Sequence, residues 1–127
     1  MKFLGCDSEA KIAVSSVEGA LSSRTTLVSL QWVNNEVGSI QHIDEIAKIL
    51  KDRDILFHVD ATQAIGKVAI DLKSVPIDLL SFSSHKIYGP KGAGVLFVRS
   101  GARDRIKNIS FGGSHEGGLR PGTQPLH

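Results

Sequence analysis

An amphipathic helix pattern set between two short strand-like runs leaves this chain little choice of fold. Thr25 to Val33, TTLVSLQWV, carries the β-branched and apolar residues that suit a buried strand. It stops at Asn34-Asn35, where two amides followed by Glu36 and Gly38 favour a turn, because asparagine and glycine tolerate the backbone angles that turns require. Ile43, Ile46, Ala47 and Leu50 then recur at helical spacing, which predicts a helix from Ile43 to about Lys51 with one apolar face. Asp44 and Glu45 in its first turns, and Lys48 and Lys51 in its last, complement the helix dipole, while its N-cap stays ambiguous. Ile55 to Val59 reads as the next strand. Strand, helix and strand in that order predict a right-handed crossover and parallel pairing, so the fold class is α/β with a mainly parallel sheet and flanking helices.

The remaining elements are shorter. Lys11 to Val14 is compatible with a strand and Ser16 to Leu21 with one or two helical turns. Val68 to Asp71 reads as a further short strand before a turn around Ser74-Val75-Pro76. Leu79 to Phe82 is a short buried strand, and Gly94 to Arg99, GVLFVR, is another. Phe111 to Thr123 contains five glycines and one proline, which predicts an irregular binding or linking segment.

At 127 residues the length suits one domain, small for a substrate-binding enzyme of the α/β class and compatible with a fragment. Apolar residues at 41% and charged residues at 22% argue against disorder. A net charge of +2 gives no reason to expect nucleic acid or an anionic membrane as partner. Arg99, Arg103, Arg105, Lys107 and Arg120 face only Asp104 and Glu116 in the tract from 99 to 120, which suits either a bound anion or, more simply, a solvated face. The single cysteine, Cys6, excludes an intrachain disulfide and a multi-cysteine zinc site, and fits a reducing compartment. The opening MKFLGCDSEA turns acidic before a signal-peptide core forms, and no segment is long enough to span a bilayer.

Polar residues collect where strands end. Asn35 follows the first strong strand, Asp60 and Gln63 follow the second, and Ser83, His85 and Lys86 follow Leu79 to Phe82. In a parallel sheet these carboxyl-end positions form the ligand crevice. A shielded lysine there can lose its proton near neutrality, as a Schiff-base lysine requires. A buried carboxylate needs a positive partner, and a protonated pyridine nitrogen is one. Taken singly, Asn35, Asp60 and Gln63 are equally at home as turn residues or a helix-start amide. His58 points to the opposite face from Val59 and reads as structural. His115-Glu116 lacks the second histidine of a zinc-protease helix because Leu119 stands there, and Gly89 to Gly94 lacks a phosphate loop's lysine because Val95 follows. Asn108-Ile109-Ser110 matches a glycosylation sequon without a secretory context.

The segments VNNEVG, HVDATQAIGK, DLLSFSSHKIYGPKGAGVL and FGG.HE..LRPGT resemble, in order and spacing, the motifs of pyridoxal-phosphate cysteine desulfurases of the iron–sulfur-cluster and nitrogenase-maturation branch. These belong to the class V aminotransferase superfamily, and the resemblance runs from about Lys11 to His127. It implies a partial large domain of a fold type I pyridoxal-phosphate enzyme over residues 1–127, without the family's N-terminal segment and C-terminal small domain. It implies that Lys86 forms the Schiff base with pyridoxal 5'-phosphate and later moves the Cα proton of the L-cysteine substrate. Asp60 then pairs with the pyridine nitrogen, Gln63 and Asn35 contact the ring hydroxyl side, and Ser83 and His85 bind the phosphate. Thr123 reaches the phosphate held by the other subunit of a homodimer. A sulfur-acceptor scaffold or carrier protein is the implied partner, and the cytoplasm or an organelle matrix the implied location. The family's persulfide-forming cysteine comes well downstream of the lysine. Cys6 lies far upstream and is taken as a small buried or incidental thiol. A selenocysteine lyase or another class V enzyme, and a catalytically silent assembly unit, are the alternatives.

Overall fold

The computed structural model describes residues 1–123. Its elements are α1 (Val14–Ala20), β1 (Leu27–Gln31), α2 (Ile43–Leu50), β2 (Leu56–Asp60), β3 (Leu79–Ser83) and β4 (Gly94–Val98), with short 3₁₀ turns between and after them. The strands form one sheet in the order β1-β2-β3-β4. β1 pairs with β2 and β2 with β3 in parallel, as the strand–helix–strand pattern predicts, whereas β4 runs antiparallel to β3. The sheet is thus mixed and mostly parallel. A connection of ten residues between β3 and β4 returns the chain directly to the neighbouring position, which antiparallel pairing requires and a parallel crossover forbids.

One face of the sheet makes the core. Phe57 and Val59 alternate inward from β2 and are fully buried, with Leu80 of β3 beside them. Against them α2 turns Ile43, Ile46, Ala47 and Leu50, the four residues whose spacing predicted the helix, and all are buried. Full burial of each large apolar side chain contributes about 1.5–3 kcal/mol, so this one helix face anchors the fold. The opposite face bears Ser29, His58 and Asp60, which are exposed or half-buried.

Two expected strands are not formed. Residues 68–71 are irregular because Val68 N–H donates to Ala64 O (2.8 Å), while Asp71 accepts Lys73 N–H at its carboxylate (2.9 Å) and Val75 N–H at its carbonyl (3.0 Å). Both ends are committed to turns, and Val68, Ile70 and Leu72 pack on the core from there. Residues 11–13 are likewise irregular. The buried Gln41 side chain supplies the pairing a neighbouring strand would give: Oε1 accepts Ile12 N–H (2.9 Å), and Nε2 donates to Ala10 O (2.7 Å). The helical turns expected from Ser16 are α1, which begins two residues earlier. Cys6 is exposed rather than buried.

Arg99 closes the other end of the sheet. Its guanidinium donates from Nε to Ile77 O (2.8 Å) and from Nη2 to Leu72 O (2.8 Å) and Val75 O (3.2 Å). Asp78 beside it accepts Phe57 N–H (2.8 Å) and fixes the start of β3. The half-buried Arg99 is therefore a structural tie and not part of a solvated basic face. Arg103 and Arg105 are also engaged, with Gly117 O (2.9 Å) and with Asp54 (3.1 Å) respectively.

Candidate functional site

The carboxyl ends of the three parallel strands lie along one edge of the sheet. Gln31 ends β1 opposite Asp60, and Asp60 ends β2 opposite Ser81, two residues before the end of β3 at Ser83. β4 begins at Gly94 opposite Ser83, so its antiparallel direction brings its first residue to the same edge.

Asp60 is half-buried. One carboxylate oxygen accepts Thr62 N–H (2.9 Å), which turns the chain sharply out of β2, and among the described residues the other oxygen has no partner. Gln63 follows in that turn, its Oε1 only distantly approached by Lys67 Nζ (3.5 Å). Ser83 stands at the start of the 3₁₀ turn Ser84–Ile87, with no capping bond from its hydroxyl. Within that turn His85 is exposed and Lys86 half-buried, and no carboxylate among the described residues pairs with Lys86. The loops after β2 and β3 touch each other, since a Cβ on Gly66 would stand 3.4 Å from Ile87 Cγ2.

The loop after Lys86 is tightly determined. Tyr88 takes a left-handed conformation (φ 66°), Gly89 N–H returns to Ser84 O (3.0 Å), and Ser84 Oγ donates to Pro90 O and Ala93 O. A Cβ at Gly89 would meet Ser84 Cβ at 2.9 Å, so only glycine lets the backbone pass there. At Gly94 it would lie 3.2 Å from Phe82 O. Sequence reading overlooked Ser84, although a hydroxyl just before the loop glycines Gly89, Gly92 and Gly94 is placed to bond local backbone carbonyls.

Two of the expected site residues stand apart. Asn35 is exposed in the turn after β1, its amide donating to Glu36 Oε1 (3.1 Å), and the turn itself is held by Asn34 Oδ1, which accepts Glu36 N–H (2.9 Å) and Val37 N–H (3.0 Å). Thr123 is exposed, and no hydrogen bond among the described residues ties it to the strand ends. Two surface cavities, of about 1120 Å³ along β4 and about 580 Å³ beside residues 37–40, flank this edge without being lined by Asp60, Gln63 or Lys86.

Residues 1–119 match the family described as aminotransferase class-V. The chain belongs to that family. It is 53% identical over 116 residues to the cysteine desulfurase IscS of Buchnera aphidicola subsp. Schizaphis graminum (strain Sg), a match covering 91% of the chain and 29% of that relative. It superposes on a solved structure of SspA in complex with cysteine with a TM-score of 0.92 at 40% identity, covering 98% of the chain and 36% of that structure. For DndA from Streptomyces lividans the TM-score is 0.89 at 44% identity, with 98% of the chain and 36% of that structure covered. The chain thus spans about a third of the proteins it resembles, and its fold is that part of a fold type I pyridoxal-phosphate enzyme.

The class V chain carries residues that fit such a cofactor. An uncommitted carboxylate oxygen on Asp60, a hydroxyl on Ser83 without a capping bond and an amine on Lys86 without an ion pair match its pyridine nitrogen, phosphate and aldehyde in chemical type. Among the described residues no helix is long and apolar enough to cross a membrane.

Proposed function

We propose that this chain is the lysine-bearing part of the large domain of a pyridoxal-phosphate-dependent cysteine desulfurase, which takes sulfur from L-cysteine, leaves L-alanine and passes the sulfur to an acceptor protein. The observation that carries the reading is the common edge of Asp60, Ser83 and Lys86, each with a polar group uncommitted among the described residues. When bound, pyridoxal phosphate supplies an electron-withdrawing ring that accepts negative charge from the substrate's Cα.

The chain's own residues divide the remaining work. Asp60 keeps a proton on the ring nitrogen, and its bond from Thr62 N–H orients the carboxylate for that purpose. Lys86 Nζ attaches the cofactor and then takes the proton from the substrate's Cα and returns it. Gln63 and Asn35 offer amides to the ring hydroxyl, and Ser83 and His85 bind the phosphate at the start of a turn whose geometry the 84–94 loop holds. Asn35 is the residue of this set that must turn away from Glu36 to take part. Thr123 serves the phosphate site of a second subunit in a homodimer. Cys6 has no part in sulfur transfer. The natural acceptor is a scaffold or carrier protein of iron–sulfur-cluster assembly, and the location is the cytoplasm or an organelle matrix.

The test is a visible spectrum of the purified chain with pyridoxal phosphate, followed by borohydride reduction and peptide mass mapping. The expected label sits on Lys86 and disappears in Lys86→Ala. Label spread evenly over Lys67, Lys91 and Lys107 would show ordinary surface amines reacting and would sink the assignment.

A further inference from the structure

His58 lies two residues before Asp60 on β2 and therefore on the same face of the sheet. Both ring nitrogens are held: Nδ1 is 2.8 Å from Ser29 Oγ and Nε2 is 3.0 Å from Ser81 Oγ. The register gives this clamp a direction. Ser29 stands opposite His58, whereas Ser81 stands opposite Asp60, so the second hydroxyl belongs to the residue beside the carboxylate.

A serine hydroxyl can donate or accept, so the two serines satisfy a neutral imidazole in either tautomer. Burial pushes the His58 imidazole below its ordinary range, and the Asp60 charge opposes that shift in part. The neighbouring strands present Ser29 and Gln31 from β1 and Leu79 and Ser81 from β3 on this face, none of them ionisable. Asp60 is thus the charge on these strands to which His58 answers.

We propose that His58 is a positioning residue for Asp60: clamped neutral between Ser29 and Ser81, it leaves the Asp60 charge to a pyridinium, and on taking up a proton it competes for that charge. The inference rests on Asp60 facing the cofactor nitrogen, as proposed above. Two residues of strand rise separate the groups by about 6.6 Å. At an effective dielectric constant of about 20 to 80, a unit charge interaction across that gap amounts to about a 3- to 70-fold change in an equilibrium constant.

Two measurements on the full chain test it. Histidine-selective carbon NMR, without cofactor, follows the His58 titration in the wild type and in Asp60→Asn. Loss of the carboxylate is expected to lower the His58 midpoint, and an unmoved midpoint overturns the coupling. Pyridoxal phosphate affinity is then measured across the same pH range in the wild type and in His58→Gln, which keeps a polar side chain but cannot take a proton there. The ratio of the two affinities is expected to change by about 3- to 70-fold through the His58 midpoint, with the wild type weakening on the acid side. Cofactor and lysine titrations are common to both proteins and cancel in the ratio. A purely structural histidine would alter affinity by one factor at every pH, and such parallel curves with intact loading overturn this inference alone. Absence of loading on Lys86 at any pH overturns the cofactor reading and this inference with it.

Discussion

Replacing Gly89 by alanine puts the least possible extra volume into the turn that carries Lys86, and the geometry says what it should cost. The added Cβ would stand 2.9 Å from Ser84 Cβ, 3.1 Å from Ser84 O and 3.3 Å from Ser84 C, so it meets backbone as well as side chain. Ser84 cannot retreat freely. Its N–H donates to Ala93 O (3.1 Å), its Oγ to Ala93 O (3.0 Å) and Pro90 O, and its carbonyl accepts Gly89 N–H. Overpacking of this kind costs about 1–3 kcal/mol, and each hydrogen bond surrendered in relief adds about 0.5–1.5 kcal/mol. A total of about 2–4 kcal/mol is expected. Urea unfolding followed by the fluorescence of Trp32, the chain's single and buried tryptophan, measures the global part. Borohydride trapping at Lys86 measures the local part, because relief by loop movement displaces the lysine. Gly92→Ala is the control: its Cβ enters open space and only the left-handed backbone (φ 81°) resists, at about 1–2 kcal/mol. Gly89→Ala with wild-type stability and undiminished trapping would refute the packing analysis.

Arg99→Met should destabilise the chain by about 2–4 kcal/mol, since the apolar replacement takes the donor from the carbonyls of Leu72 and Ile77 and leaves Val75 O with only the Ile77 N–H, and urea midpoints will read it. Gln41→Ala removes a buried amide that serves both Ile12 N–H and Ala10 O; about 1–3 kcal/mol and faster proteolytic release of the first dozen residues are expected. Burial depresses His58 in the folded chain, so the unfolded chain binds its proton more readily. The associated stability is complete above a pH of about 6.5 and is lost as pH falls toward the folded value, a slope that His58→Gln should flatten in urea melts at successive pH values.

Much of the fold was legible because local pattern and tertiary environment agree. The α2 face, with Ile43, Ile46, Ala47 and Leu50 buried, and the alternation of Phe57 and Val59 against His58 and Asp60 follow from periodicity alone. The candidate site was legible as residue types at strand ends. Its finer division was not: Asn34 and Asn35 are chemically the same, and only the fold shows that Asn34 Oδ1 holds the turn while the Asn35 amide faces Glu36. Arg99 read as one member of a basic tract because charge counts ignore where a side chain's three acceptors lie. Residues 68–71 carry strand-forming side chains, yet turn bonds at both ends take the backbone groups a ladder would need.

By itself the sequence determined the parallel strand–helix–strand unit, the helix face that covers it and the polar residues at the strand ends, since each depends on spacing within a few consecutive residues. The clamp of His58 between Ser29 and Ser81 and the closure of the lysine loop through Ser84 and Gly89 were decided by tertiary structure alone. Each depends on register between segments far apart in the chain, or on clearances of a few tenths of an ångström, and neither is written in the order of the residues.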